Sequence, residues 1–200
     1  MTREALPGEL YVMPAGEQDL AALAALAALV NSAYRGESSR AGWTTETDLV
    51  GGQRTDAEAL RAIVAAPGNV LLMLRAEPGP LACVHLQQHG AGVCHLAMLT
   101  VSPRLQGSGV GRKLLAAAEN WAVRHMGASA IEITVIEARE ELLAWYERRG
   151  YERTGELRPF PYSDVRFGMP LRDDLRCVVL RRELPPSPVT GTRLRSLPRQ

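Results

Sequence analysis

Seven short stretches of the chain carry apolar residues at alternate or consecutive positions, and between them apolar residues recur every three or four. Residues 93–101, VCHLAMLTV, are apolar on both alternating sets: Val93, Ala97, Leu99 and Val101 on one, Cys94, Leu96 and Met98 on the other. That is the pattern of a central strand covered on both faces. Residues 130–136 alternate Ile131, Ile133 and Val135 against Glu132, Thr134 and Ile136 and predict the next strand, parallel to the first through a helical crossover. Residues 9–14, 70–75, 81–87, 151–157 and 175–180 predict the other five, with Glu77-Pro78-Gly79-Pro80 as a turn.

Helical spacing appears in four places. Residues 17–34 are alanine-rich, with Leu20, Leu23, Ala27 and Val30 in one stripe. Thr55-Asp56-Ala57-Glu58 has capping-box spacing and opens a short helix that ends at Pro67-Gly68. Leu114, Leu115, Ala118, Ala122 and Met126 form a third apolar stripe, stopped by Gly127. Residues 140–149, closed by Gly150, form the fourth helix.

Three segments fall outside both periods. Residues 35–54 hold four glycines and Trp43. Some 20 residues without regular structure in a compact domain mark a binding loop or disorder, and Trp43 argues against disorder. In the binding-loop reading Tyr34, Arg35, Trp43, Thr44 and Glu46 face a substrate; in the other, Trp43 plugs the core while Thr44, Thr45 and Glu46 cap a short helix. Residues 159–164, Pro-Phe-Pro-Tyr-Ser-Asp, either close over a ligand or form a stiff connection. Residues 184–200 are proline- and arginine-rich with no apolar period, which divides the chain into one domain, 1–183, and a tail.

Composition narrows the class. Two hundred residues, 46% of them hydrophobic, suit one domain with a sizeable core. A net charge of +1 gives no electrostatic case for nucleic acid or a membrane surface. The longest apolar run, residues 20–30, is too short to span a bilayer. Cys83, Cys94 and Cys177 have neither an even count nor metal-ligand spacing and read as reduced core thiols. With no signal-peptide pattern at the N-terminus, a cytoplasmic location is expected, and no metal site.

The chemistry gathers at Gln106-Gly107-Ser108-Gly109-Val110-Gly111, between the central strand and a helix. Glycines there let the backbone turn tightly and approach a ligand, whose negative charge the free amides of the first helical turn would bind. A P-loop needs Gly-Lys-Ser/Thr, but Gly111 is followed by Arg112-Lys113-Leu114. A dinucleotide fingerprint needs an acidic residue at the end of the next strand, whereas Glu132 lies inside it.

The hexapeptide resembles the Gln/Arg-x-x-Gly-x-Gly/Ala signature of the GNAT family of N-acetyltransferases, preceded by the family's Val-Ser-Pro as Val101-Ser102-Pro103. A second resemblance, to the family's Tyr-Glu-x-x-Gly-Phe/Tyr, stands at Tyr146-Glu147-Arg148-Arg149-Gly150-Tyr151. The resemblance implies an α/β fold: a mixed, mostly antiparallel six- to seven-stranded sheet with helices on both faces, splayed between the fourth and fifth strands to admit acetyl-CoA. It implies that Gln106, Gly107, Ser108, Gly109, Val110 and Gly111 hold the pyrophosphate, with Arg104 or Lys113 in support. The backbone of Leu99, Thr100 and Val101 would lie along the pantetheine arm.

By the same resemblance Tyr146, a phenol with an ordinary pKa near 10 that is protonated at neutral pH, would protonate the departing thiolate; otherwise it is an amphipathic-helix tyrosine half in the core. His95, expected on the same strand face as Leu99, and Glu46 are two candidates for the base, His95 otherwise being a hydrogen-bonded core residue. Where many members have asparagine seven residues before the tyrosine, this chain has Arg139, so the asparagine contact does not carry over and the arginine either contacts the cofactor or acceptor or is solvated. The expected reaction is direct transfer from acetyl-CoA to a small-molecule amine, which leaves a homodimer open and involves neither nucleic acid nor membrane. The alternatives are an acyl-CoA-binding sensor without turnover and transfer to a protein or peptide amine.

Overall fold

The computed structural model describes residues 12–15, 19–76, 79–164 and 167–186. In chain order the elements are β1 (Val12–Pro14), α1 (Leu20–Tyr34), α2 (Gly36–Ser39), β2 (Val50–Gly51), α3 (Ala57–Ala65), β3 (Asn69–Ala76), β4 (Gly79–Gln88), β5 (Val93–Val101), α4 (Val110–Met126), β6 (Ala130–Ile136), α5 (Glu140–Glu147), β7 (Glu152–Pro159), β8 (Met169–Pro170) and β9 (Arg176–Glu183). Seven strands form one sheet in the order β1-β3-β4-β5-β6-β9-β7. Among the described strands only β5 and β6 run parallel, and β9 inserts between β6 and β7.

Each face of the sheet has its own apolar cluster. Leu114, Leu115, Ala118 and Ala122 of α4 and Leu143 and Tyr146 of α5 pack on one, with Leu96, Ile131 and Ile133. Leu23, Leu26 and Val30 of α1 and Leu60 of α3 pack on the other, with Leu71, Met73 and Met98. These aliphatic side chains are almost fully buried, at about 1.5–3 kcal/mol each. Helices therefore cover both faces.

The opening of the sheet is short-range in origin. β5 and β6 pair only from Val93↔Ala130 to Leu96↔Ile133. Then Met98 takes φ 49°, and the register against β4 shifts between Cys83 and His85. This is a β-bulge, which bends the strand and re-aims the residues after it. Beyond Leu96, β5 leaves its neighbour, so the fourth and fifth strands of the sequence reading diverge as expected. The strict alternation expected for 93–101 fails at this point. Leu99 and Val101 pack with Leu96 on the α4 face, whereas His95 sits opposite Glu132 and bonds Thr134 Oγ1 (3.3 Å) on the other. His95 and Leu99 do not share a face, because the bulge inserts one residue between them.

Residues 35–54 are ordered, and more regular than the sequence suggests. The buried Ser39 hydroxyl contacts Thr45 Oγ1 (2.6 Å), Thr47 Oγ1 (2.7 Å) and the Gly36 carbonyl (2.7 Å). At the far end, Asn31 of α1 accepts from the amides of Arg54 (2.6 Å) and Thr55 (3.2 Å) and donates to the Thr55 carbonyl. β2 pairs with β8 in a small second sheet, Val50↔Pro170 and Gly51↔Met169, and the Leu171 amide donates to the Leu49 carbonyl (2.9 Å), which docks residues 169–171 onto this loop. Gly168 is needed there, since a Cβ on it would lie 2.6 Å from the Gly51 carbonyl oxygen.

Two smaller readings shift. α3 is capped by Asp56, whose side chain accepts from the Ala59 amide, rather than by Thr55. Leu184, placed in the tail by composition, is buried in the main core, and its amide donates to the Ser129 carbonyl (2.7 Å). Residues 9–11 of the first expected strand and 187–200 of the tail lie outside the described residues. The three cysteines are buried, and burial pushes their thiols up, to about 12 for Cys83 and about 11 for Cys94 and Cys177. Among the described residues no cluster of metal-ligating side chains occurs, and no helix is long and apolar enough to cross a membrane.

Candidate active site

The divergence of β5 and β6 opens a cleft of about 760 Å³ that runs from the glycine loop to the loop 35–54. Its two ends are built differently.

At the first end the wall is backbone. Gly107 and Gly109 take φ 77° and 90°, conformations that a side chain would strain. Gly109 is the N-cap of α4, and no side chain caps this helix, so the amides of its first turn are left for a ligand. Gly107, Ser108, Gly109 and Gly111 line the cleft, and Arg112 and Arg149 join them. Arg149 lies 3.5 Å from the Trp145 ring centroid, and its buried Nε has no partner. Val110 instead points into the core, while the side chains of Arg104 and Lys113 are exposed and do not line the cleft. The helix explains this, since Arg112 and Lys113 are about 100° apart around its axis. The sequence reading missed Arg112 and Arg149; their spacing from Gly109 and Tyr146 carried no signal by itself.

The middle of the cleft is formed by Leu99, Thr100 and Val101 on one side and Tyr146 on the other. Past Leu96, the edge of β5 that faces β6 has no strand partner, which leaves its backbone groups toward the cleft. Tyr146 is 3% exposed, edge-on to Trp145 and Tyr151, and its hydroxyl bonds none of the described residues. Burial raises its pKa, the neighbouring Tyr34 adds to this, and the phenol keeps its proton through neutral pH.

At the second end the wall is made of side chains from distant segments. Tyr34 and Ala33 close α1, Trp43 and Thr44 come from the loop, and Arg139 precedes α5. Trp43 is 43% exposed and stands 6.5 Å from Trp145, so it walls the cleft and does not plug the core. Behind these residues lies Glu46, held on one oxygen by Arg35 and on the other by Arg139 at 2.6 Å. All three are buried. Arg139 also donates to Thr44 Oγ1 (3.0 Å), and Arg35 to the Phe167 carbonyl (3.2 Å). Burial alone would raise the Glu46 carboxyl, but Arg139, Arg35 and Arg54 outweigh it, and it titrates below its ordinary value.

The two base candidates therefore stand away from the cleft. Glu46 has both oxygens occupied, and His95 is on the opposite face of β5 from Leu99. Neither lines it. Of the expected acceptor residues, Tyr34, Trp43 and Thr44 line the cleft directly, while Arg35 bonds Glu46 and the Phe167 carbonyl, neither of which lines it. Gln106 belongs to both ends: its Oε1 accepts from the Trp43 amide (2.9 Å) and its Nε2 donates to the Val101 carbonyl (3.3 Å).

Comparison with known proteins agrees with this geometry. The model of the Acetyltransferase (GNAT) family matches residues 27–151. No curated protein matches the chain. Among solved structures, a GNAT family acetyltransferase from Elizabethkingia anophelis with acetyl-CoA bound is 17% identical, with a TM-score of 0.54 over 64% of this chain and 82% of that one. The IAA acetyltransferase from Bacillus cereus ATCC 14579 is 16% identical, with a TM-score of 0.57 over 88% of this chain and 100% of that one. Nourseothricin acetyltransferase is 21% identical, with a TM-score of 0.50 over 60% and 67%.

Proposed function

From the premise that the chain belongs to the acetyltransferase (GNAT) family, we propose that it passes the acetyl group of acetyl-CoA to the amine of a small molecule, directly within a ternary complex. The chain is an N-acetyltransferase with acetyl-CoA as its donor. The observation that carries the reading is one continuous cleft holding the uncapped N-terminus of α4, the unpaired edge of β5 and the Tyr146 phenol.

The first end fits a pyrophosphate. A Cβ on Gly107 would meet nothing within 4 Å, and the α4 amides have no competing cap. The helix dipole favours negative charge there, and Arg112 and Arg149 add cationic donors at the same end. When bound, acetyl-CoA supplies an activated acyl carbon and a thiolate leaving group. The backbone of Leu99, Thr100 and Val101 holds the arm and turns donors toward the acyl oxygen, where charge develops. Tyr146, which carries its proton through neutral pH, gives that proton to the thiolate as the C–S bond breaks, and the proton shed by the nitrogen as the amide forms restores the phenol.

Among the described residues no carboxylate or imidazole lines the cleft. The acceptor ammonium accordingly loses its proton to water, and the cationic Arg139 beside it disfavours the charged amine. Glu46 orients Arg139 and does not act as the base.

Thermal stability in the presence of acetyl-CoA, CoA, ATP and NAD tests the donor assignment. Acetyl-CoA and CoA alone stabilise the protein, by about 2.7 kcal/mol at 100 times Kd. If ATP or NAD stabilises it instead, the assignment fails. Turnover of a primary-amine panel, followed as thiol release, tests the transfer; binding of acetyl-CoA without any amine-dependent turnover would identify a sensor instead.

A further inference from the structure

The acceptor end carries more positive charge than its own carboxylate balances. Arg35 and Arg139 share one carboxylate, that of Glu46, and all three are buried. Arg54 adds a third guanidinium, which lies over the rings of Tyr34 (5.7 Å) and Phe167 (5.8 Å) and pairs with no carboxylate among the described residues. The exposed carboxylate of Glu141 accepts from Thr44 Oγ1 at 2.8 Å and forms no ion pair with Arg139. Of the five N–H donors on Arg139, one serves Glu46 and one Thr44; its buried Nε has no partner. A buried guanidinium with unused donors is costly unless an anion completes it.

The excess faces the cleft. Arg139 lines it, and its guanidinium stands 5.8 Å from the Tyr34 ring centroid. The Tyr34 hydroxyl in turn donates to the Leu99 carbonyl (3.3 Å), at the bulge where the donor arm would lie. One tyrosine side chain thus spans the distance from the unsatisfied guanidinium to the place of transfer. The phosphates of the donor belong to the opposite end, so the anion comes from the acceptor.

We propose, on the acetyltransferase reading above, that the acceptor is a short amine bearing a carboxylate, which Arg139 binds with Arg54 and Arg35 as its cationic background. The amine and the acid are then separated by no more than a tyrosine side chain, as in an amino acid.

Matched acceptors test this: α-, β- and γ-amino acids, each beside its amide and its decarboxylated amine, with phosphoethanolamine and ethanolamine as a phosphate pair. Wild type favours the acids over their amides by about tenfold or more in kcat/KM, mostly through KM, as for a charge-assisted hydrogen bond. Arg139→Lys narrows that ratio, and Arg139→Gln abolishes it without changing the Kd for acetyl-CoA. Arg54→Gln, which leaves no buried carboxylate unpaired, narrows it while keeping the fold. Equal use of acids and amides, or a preference for neutral amines, overturns the proposal and leaves the transferase intact. A preference confined to phosphoethanolamine overturns the carboxylate assignment. Calorimetry separates the remaining cases. A protein that binds acetyl-CoA but, when loaded with CoA, binds none of the acids overturns this inference alone. One that binds no acetyl-CoA removes the acetyltransferase reading with it.

Discussion

The donor end and the acceptor end of one cleft are made of different material. The donor end is backbone: two glycines at positive φ, an uncapped helix and a strand edge released by a bulge. The acceptor end is side chain: Tyr34, Trp43, Arg139 and the buried Arg35–Glu46–Arg139 group, drawn from α1, the loop after it and the start of α5. Backbone amides bind whatever phosphate is offered and tolerate change in neighbouring side chains. A charged group buried among three chain segments is specific, and it fails as a unit when one member is removed.

The largest expected effect lies at the acceptor end. Glu46→Gln leaves two guanidinium groups buried without a carboxylate and should cost about 3–5 kcal/mol of stability in urea denaturation. A loss under about 1 kcal/mol would show that the group is solvated. Next comes the junction of the two ends. Tyr146→Phe should lower kcat by roughly 100-fold or more while the Kd for acetyl-CoA holds within about two-fold. An unchanged kcat would take the proton-donor role from it.

At the donor end, Gly109→Val places a branched side chain at φ 90° and should cost about 1–3 kcal/mol while raising the KM for acetyl-CoA. Acceptor KM values should stay near wild type; if they rise equally, the two ends are not separable.

Titration distinguishes the ends further. The lowered Glu46 carboxyl contributes stability that is complete above its ordinary value of 4.5 and is lost as pH falls through the lower folded value. Trp43 fluorescence should therefore change in acid before the glycine loop is affected. Outside the site, burial, with His95 and Arg54 nearby, depresses His85 from 6.5 to about 4. A His that must stay neutral stabilises fully above 6.5, and the stability drains between 6.5 and 4, by roughly 2–3 kcal/mol. His85→Gln should flatten that part of the curve. The smallest effect is at the link: Gln106→Ala removes bonds to Trp43 and Val101, about 1 kcal/mol, and should raise acceptor KM several-fold while acetyl-CoA binding holds.

Much of the donor end was legible beforehand, because each part is a local rule. The glycines at 107, 109 and 111, the stop at Gly127 and the apolar periods of 93–101 and 130–136 locate the strand, turn and helix without reference to anything distant. What was missed there is side-chain direction: Arg112 rather than Lys113, and Arg149 from the end of another helix. At the acceptor end the reading found Tyr34, Arg35, Trp43, Thr44 and Glu46 as a group but not their relations. It left Arg139 open between cofactor, acceptor and solvent, and put His95 on the face of Leu99, a placement that the Met98 bulge reverses.

The order of elements, the layered sheet and the glycine turn before α4 can be read along the chain, since they follow from hydrophobic period and from glycine's freedom at positive φ. Contacts between distant segments alone set Glu46 behind the cleft as the buried counter-ion of Arg35 and Arg139, turn Arg139 into the cleft, and pair Met169 and Pro170 with the loop behind it. Those outcomes depend on which distant charges meet after the core has packed, and the energy of a charge is set by its surroundings rather than by its place in the chain.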